Sequence, residues 1–262
     1  MRNLSSVLAT ALLATLMSAA APARAQTPTV ADSGMLVVYD QDLPVAREEF
    51  VWQDFGDSLI ISATARRTLA DDKGERHAYE KGMLVVVDSR DFGLLRYLSN
   101  QTFQGQTAVR GILPGDTVMT YYTEFGGTGN ASRLVQPPGR LFVIDTPMFS
   151  LFDVLVRSLA GKDFTTRRMQ LLVTSTDTLS MPIATITRAE PDTLLIGDRR
   201  LPAQHYILVD PSVQFDLWAD TRGRLLRLSH LGSGMRVERR QPAPPAKPAP
   251  KPALRKRTTV KR

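Results

Sequence analysis

Along residues 35–241, apolar and polar positions alternate in short runs broken by turn-forming residues. "REEFVWQDF", a Gly56-Asp57 turn and "SLIISATARRTL" read as one hairpin, and Asp72-Lys73-Gly74 makes the next turn. "MLVVVDS" is a more fully buried strand. "LLRYLSNQ", "FQGQTAVRGIL" and "TVMTYYTEF" follow, with Pro114-Gly115-Asp116 before the last, and "RLFVID" closes the first half. In "FDLWADTRGRLLRL", Phe215, Leu217 and Ala219 share one face, while Asp216, Trp218 and Asp220 share the other. Asp220-Thr221-Arg222-Gly223 between the two runs is turn chemistry, so the segment reads as a hairpin bend rather than a catalytic loop.

One segment has a different period. From Pro147 to Gly161, apolar residues stand at Met148, Leu151, Phe152, Leu155, Val156 and Leu159. That spacing predicts an amphipathic helix of about three turns, with Pro147 at its start and Gly161 at its stop. Strand-like runs then resume, from "RRMQLLVTST" to "MRVERR". The pattern as a whole predicts a mainly β protein: a curved antiparallel meander, a half-barrel of about a dozen strands, wrapped on one short α-helix. No linker or fixed-period repeat interrupts it, so residues 35–241 form one domain, preceded by a flexible segment at 26–34.

The ends have other compositions. Residues 1–25 carry a basic start (Arg2), an apolar stretch from Val7 to Met17 and small residues at Ala23 and Ala25. This is the pattern of a cleaved secretory signal, too short in its apolar stretch to span a bilayer. The expected location is therefore a bacterial periplasm or beyond, with no transmembrane segment in the mature chain. Cysteine is absent, which removes disulfides and thiol chemistry. Residues 242–262 are rich in Pro, Ala and Lys and read as a disordered tail.

The formal charge of +7 reflects those ends. Seven of the 33 bases lie in the tail and two in the leader, which leaves 24 against 26 acids in the body. The body is near neutral, and the basic balance gives no reason to expect a nucleic-acid groove. The tail's Lys247, Lys251, Arg255, Lys256, Arg257, Lys261 and Arg262 are candidates for contact with an anionic envelope surface.

Candidate chemistry is sparse. His77, His205 and His230 have no mutual metal-ligand spacing, so no metal and no cofactor is expected. There is no G-x-S-x-G elbow. Asp88-Ser89 and Asp145-Thr146 end strands in the manner of aspartic-protease loops, but Arg90 and Pro147 stand where a glycine is needed, so no catalytic residue is assigned. Asp145 reads as the end of a strand, with Thr146 and Pro147 at the helix cap. Gly126-Gly127-Thr128-Gly129-Asn130 lacks the lysine and the following helix of a phosphate loop.

What remains is a surplus of aromatic and methionine side chains. Trp52, Met83, Tyr121, Phe142, Met148, Phe152, Leu155 and Trp218 are the candidate lining of an apolar cleft between sheet and helix. The stretch Gly197–Arg227, with "GDRRLPAQHY" and "FDLWADTRGRLLR", resembles the half-barrel periplasmic proteins of the outer-membrane lipoprotein carrier (LolA-like) type and related uncharacterised exported families. The resemblance implies an apolar cavity that holds acyl chains. The expected function is thus a non-enzymatic exported binding protein for a lipid or other apolar ligand. The alternative is a structural or interaction module docked on the envelope by its tail.

Overall fold

The computed structural model describes residues 27–174, 179–211 and 213–240. The expected secretory signal (1–25) and the expected disordered tail (242–262) lie outside the described residues. Seventeen strands and one helix appear among those described. The first eight strands are β1 (Thr29–Asp40), β2 (Leu43–Asp54), β3 (Ser58–Ala70), β4 (Arg76–Asp88), β5 (Leu94–Phe103), β6 (Gln106–Leu113), β7 (Val118–Phe125) and β8 (Thr128–Val135). Then come β9 (Leu141–Ile144), the helix α1 (Ser150–Arg157), β10 (Thr166–Thr174), β11 (Leu179–Ser180) and β12 (Ile183–Arg188). The chain ends on β13 (Asp192–Ile196), β14 (Arg199–Val209), β15 (Gln214–Ala219), β16 (Leu225–His230) and β17 (Met235–Arg240).

β1 through β8 pair in chain order, each antiparallel to the next. β17 pairs with the free side of β1, and β16, β15, β14, β12 and β10 follow outward. β9 adds to β10 as the one parallel pair among the described pairs, and the sheet departs from the predicted simple meander also where β17 joins β1 and β14 joins β12. β8 and β9 are the two edges and do not pair with each other, so the curved sheet stays unclosed.

The strands are longer and more numerous than the pattern predicts. β1 begins at Thr29, inside the segment expected to be flexible, because residues 29–34 continue the ladder with β2. The helix is shorter than predicted. It runs from Ser150 to Arg157, and the chain leaves it through turns ending at Gly161 (φ 68°). Pro147 is not in its first turn but follows a cis bond from Thr146.

The helix is not one-sided either. Ser150 to Val156 are all buried, polar Ser150 and Asp153 included. The sheet curls round α1 and encloses it. Phe152, fully buried, meets the Phe215 ring edge-on at 5.0 Å. The periodicity of the core follows the pleat: Glu48, Phe50 and Trp52 of β2, and Met83, Val85 and Val87 of β4, all point to the helix side.

Candidate functional site

Three buried acids hold the helix in the sheet. Glu48 on β2 accepts from the backbone N–H of Phe149 (2.6 Å) and of Ser150 (3.1 Å), and from the Ser150 hydroxyl. It is the cap that the sequence reading places at Thr146 and Pro147. Burial raises its pKa to about 7, against those hydrogen bonds. Asp145, just after β9, is fully buried and takes hydrogen bonds from the Lys81 ammonium and the Tyr97 hydroxyl. Burial lowers the Lys81 pKa and holds the Tyr97 phenol well above its ordinary range. Asp153, inside the helix, accepts from the Leu225 N–H at 2.6 Å and from Arg157 at 2.9 Å. Arg157 also reaches Asp32 and lies over the Trp52 ring at 4.3 Å. Asp88, the other candidate of a paired-acid site, is bonded instead to Arg90 at a surface turn, so the two aspartates have separate partners.

The predicted cleft residues divide. Trp52, Met83, Phe142, Met148, Phe152 and Leu155 are buried in one core with α1, and Tyr121 packs against it partly buried. Trp218 does not join them. It stands on the outer face, stacked on His205 at 4.6 Å, in a small separate cluster with Leu226 and Leu201. Beside the helix, a cleft of about 340 Å³ opens only past its C-terminal end, between Phe142, Ser158, Leu159 and Met169, with Arg140, Arg167 and Arg168 around it. The void bounded by Val85, Leu94, Phe142, Leu151 and Val154 measures about 10 Å³, room for barely one water.

A much larger space lies on the other side of the same strands. A groove of about 1130 Å³ crosses the outer face of β1 to β6. Two rows of paired residues form its floor. One runs Ser33, Val51, Ser62, Leu84, Leu98, and the next runs Met35, Glu49, Thr64, Gly82, Asn100, Val109. Ser62 and Gly82 are small members of the lining, with the Asn100 side chain lying over Gly82, while Val51, Leu84, Leu98 and Met35 supply apolar surface. Val51 and Leu98 remain 37% and 36% exposed. Arg47 and Arg66 line it as well, beside Glu49 of the second row. Six strands at about 4.8 Å spacing give the longer row a length of roughly 24 Å. The sequence reading missed this groove. Its residues are the alternate, outward members of each strand, and only the register brings them into rows.

Among the described residues, one group of metal-type ligands occurs at the β3–β4 turn. Asp71, Glu75 and His77 bring their ligand atoms within 4.8 Å of one another. Asp71 already accepts from the N–H of Lys73 and Glu75 at 2.9 and 2.8 Å, and its second oxygen is 2.9 Å from His77 Nε2. Those bonds hold the turn and account for the cluster without an ion.

No family model matches the chain, and no curated protein matches it. Two of the solved structures similar to it are the following. A β-barrel-like protein of a domain of unknown function, DUF1849, from Brucella abortus superposes with a TM-score of 0.51 at 8% identity, over 81% of this chain and 97% of that one. A DUF1089 family protein from Pseudomonas aeruginosa gives a TM-score of 0.46 at 14% identity, over 70% of this chain and 89% of that one. With identity this low, the first likeness is one of fold: the chain shares a β-barrel-like architecture with a protein of an uncharacterised family.

Proposed function

We propose that this chain is a non-enzymatic, exported binding protein that holds a lipid or other apolar ligand. The ligand lies in the groove across β1 to β6, not between sheet and helix. The observation that carries the reading is the groove itself: about 1130 Å³, open, with aliphatic side chains along its floor. An open groove of this extent on a sheet face, with aliphatic side chains among its floor residues, is a usual mark of a binding surface. Each methylene laid against them contributes about 0.8 kcal/mol before the entropic cost of association. The floor interleaves aliphatic side chains with Ser62, Thr64 and Asn100, and its six-strand length suits an extended chain more than a compact molecule. The role resembles that of the periplasmic lipoprotein carriers, with the apolar surface displaced to the outer face.

A fluorescent acyl probe tests it. Wild-type protein binds the probe saturably, and lipid extracted from freshly purified protein is identifiable by mass spectrometry. Leu98→Glu places a charge on the groove floor and weakens probe binding at least tenfold, while the unfolding temperature stays near that of wild type because the site is partly exposed. Clean protein that takes up no acyl probe refutes the reading.

A further inference from the structure

We propose that the cleft past the C-terminal end of α1 is a second binding site, for a small carboxylate borne on an apolar body. It shares no lining residue with the groove and does not depend on it. The cleft, about 340 Å³, is a gap beside β10. β9 pairs with β10 only from Leu141 opposite Gln170, while β12 pairs with β10 from Thr166 onward, so Thr166 to Met169 have no partner on the β9 side among the described pairs. Gly139 (φ 92°) bends the chain into β9 at the edge of that gap.

The floor is apolar, with Phe142, Leu159 and Met169 all buried. The wall is cationic: Arg140, Arg167 and Arg168 line it, and no acid does. Arg140 donates to Asp91 through Nε at 2.9 Å, and its Nη groups have no partner among the described residues. Arg167 and Arg168 are exposed, and their side chains form no ion pair or hydrogen bond among the described residues. Lys162 adds to the same field. Burial first, then the charges of Arg140 and Arg167, lower its pKa against the weaker pull of Asp91. The acid next to it, Asp163, is fully exposed and lies 3.9 Å from Arg188. Nor does the helix end present bare carbonyls. Those of Val154, Val156 and Arg157 accept from the N–H groups of Ser158, Leu159 and Ala160, and that of Leu155 from the Ser158 hydroxyl. Open guanidiniums above an apolar floor suit neither a bare inorganic ion nor a neutral apolar molecule. They suit a carboxylate, which takes two N–H bonds from one guanidinium, on a body that covers Phe142, Leu159 and Met169.

Titration calorimetry with 4-phenylbutyrate, 4-phenylbutanol and acetate tests it, on wild type, Arg167→Gln/Arg168→Gln and Leu98→Glu. Wild type binds phenylbutyrate at one site, at least about tenfold more tightly than the neutral alcohol or acetate. The double arginine variant loses about tenfold or more of that affinity, and its unfolding temperature stays near that of wild type because both positions are exposed. Leu98→Glu, in the groove, binds phenylbutyrate as wild type does. Absence of phenylbutyrate binding by wild type, or unchanged affinity in the arginine variant, overturns the site. Equal binding of the alcohol overturns the carboxylate, and equal binding of acetate overturns the apolar body. Weakened binding in Leu98→Glu alone places the ligand in the groove and overturns the second site while leaving the groove standing.

Discussion

Glu48 caps a helix that begins about a hundred residues later in the chain: its Oε2 lies 2.6 Å from the backbone nitrogen of Phe149. The acid is buried and is held near pKa 7, above its ordinary value of 4.5. Its protonated form is therefore favoured by folding. That contribution is complete below about pH 4.5 and is lost as pH rises through 7. Asp153 nearby pushes the same way. The shift corresponds to about 3 kcal/mol. Denaturant unfolding from pH 4.5 to 7.5 should show wild type losing stability relative to Glu48→Gln, whose amide stays neutral. Parallel pH profiles for the two proteins would contradict the assignment.

Asp145 and Lys81 form a buried pair that ties the β9 end of the sheet to β4. Removing one partner leaves the other charge unpaired in the core. Asp145→Ala is expected to destabilise by about 3–5 kcal/mol, and Lys81→Met/Asp145→Leu by clearly less. Equilibrium unfolding of both proteins checks the order. A double variant worse than the single would mean the pair itself supplies the stability.

Gly223 closes the β15–β16 bend at φ 76°, and a Cβ there would lie 2.7 Å from the Ala160 Cβ and 3.1 Å from the Arg157 Cα. Gly223→Ala must distort both the bend and the turn after α1. A loss of at least about 2 kcal/mol is expected. Gly126, at φ 58° with nothing within 4 Å of a built Cβ, is the control, and Gly126→Ala should cost only about 1 kcal/mol. Equal thermal shifts for the two would remove the packing argument.

The fold was legible because its signals are local. The alternation in "FVWQDF" and "QFDLWA" survives as inward and outward faces, and the spacing from Met148 to Leu159 does mark the helix. Trp218 stood on the outward face of its strand in the sequence itself, opposite Phe215 and Leu217, so alternation alone would have removed it from the cleft. The partners of the buried acids were not legible. Glu48 sits among the alternating residues of "REEFVW" like any exposed acid, and nothing local says that a helix end far along the chain will cover it. The groove was hidden for a related reason. Val51, Ser62, Leu84 and Leu98 are unremarkable singly and form one row only when three registers align them.

A photoreactive fatty acid tests the location of the ligand most directly. After irradiation and proteolysis, the account predicts label on outward residues of β2, β4 and β5, at Val51, Leu84 and Leu98. Label concentrated on Met148, Phe152 and Leu155 would contradict it, and would mean that the helix swings away to admit the chain into the core.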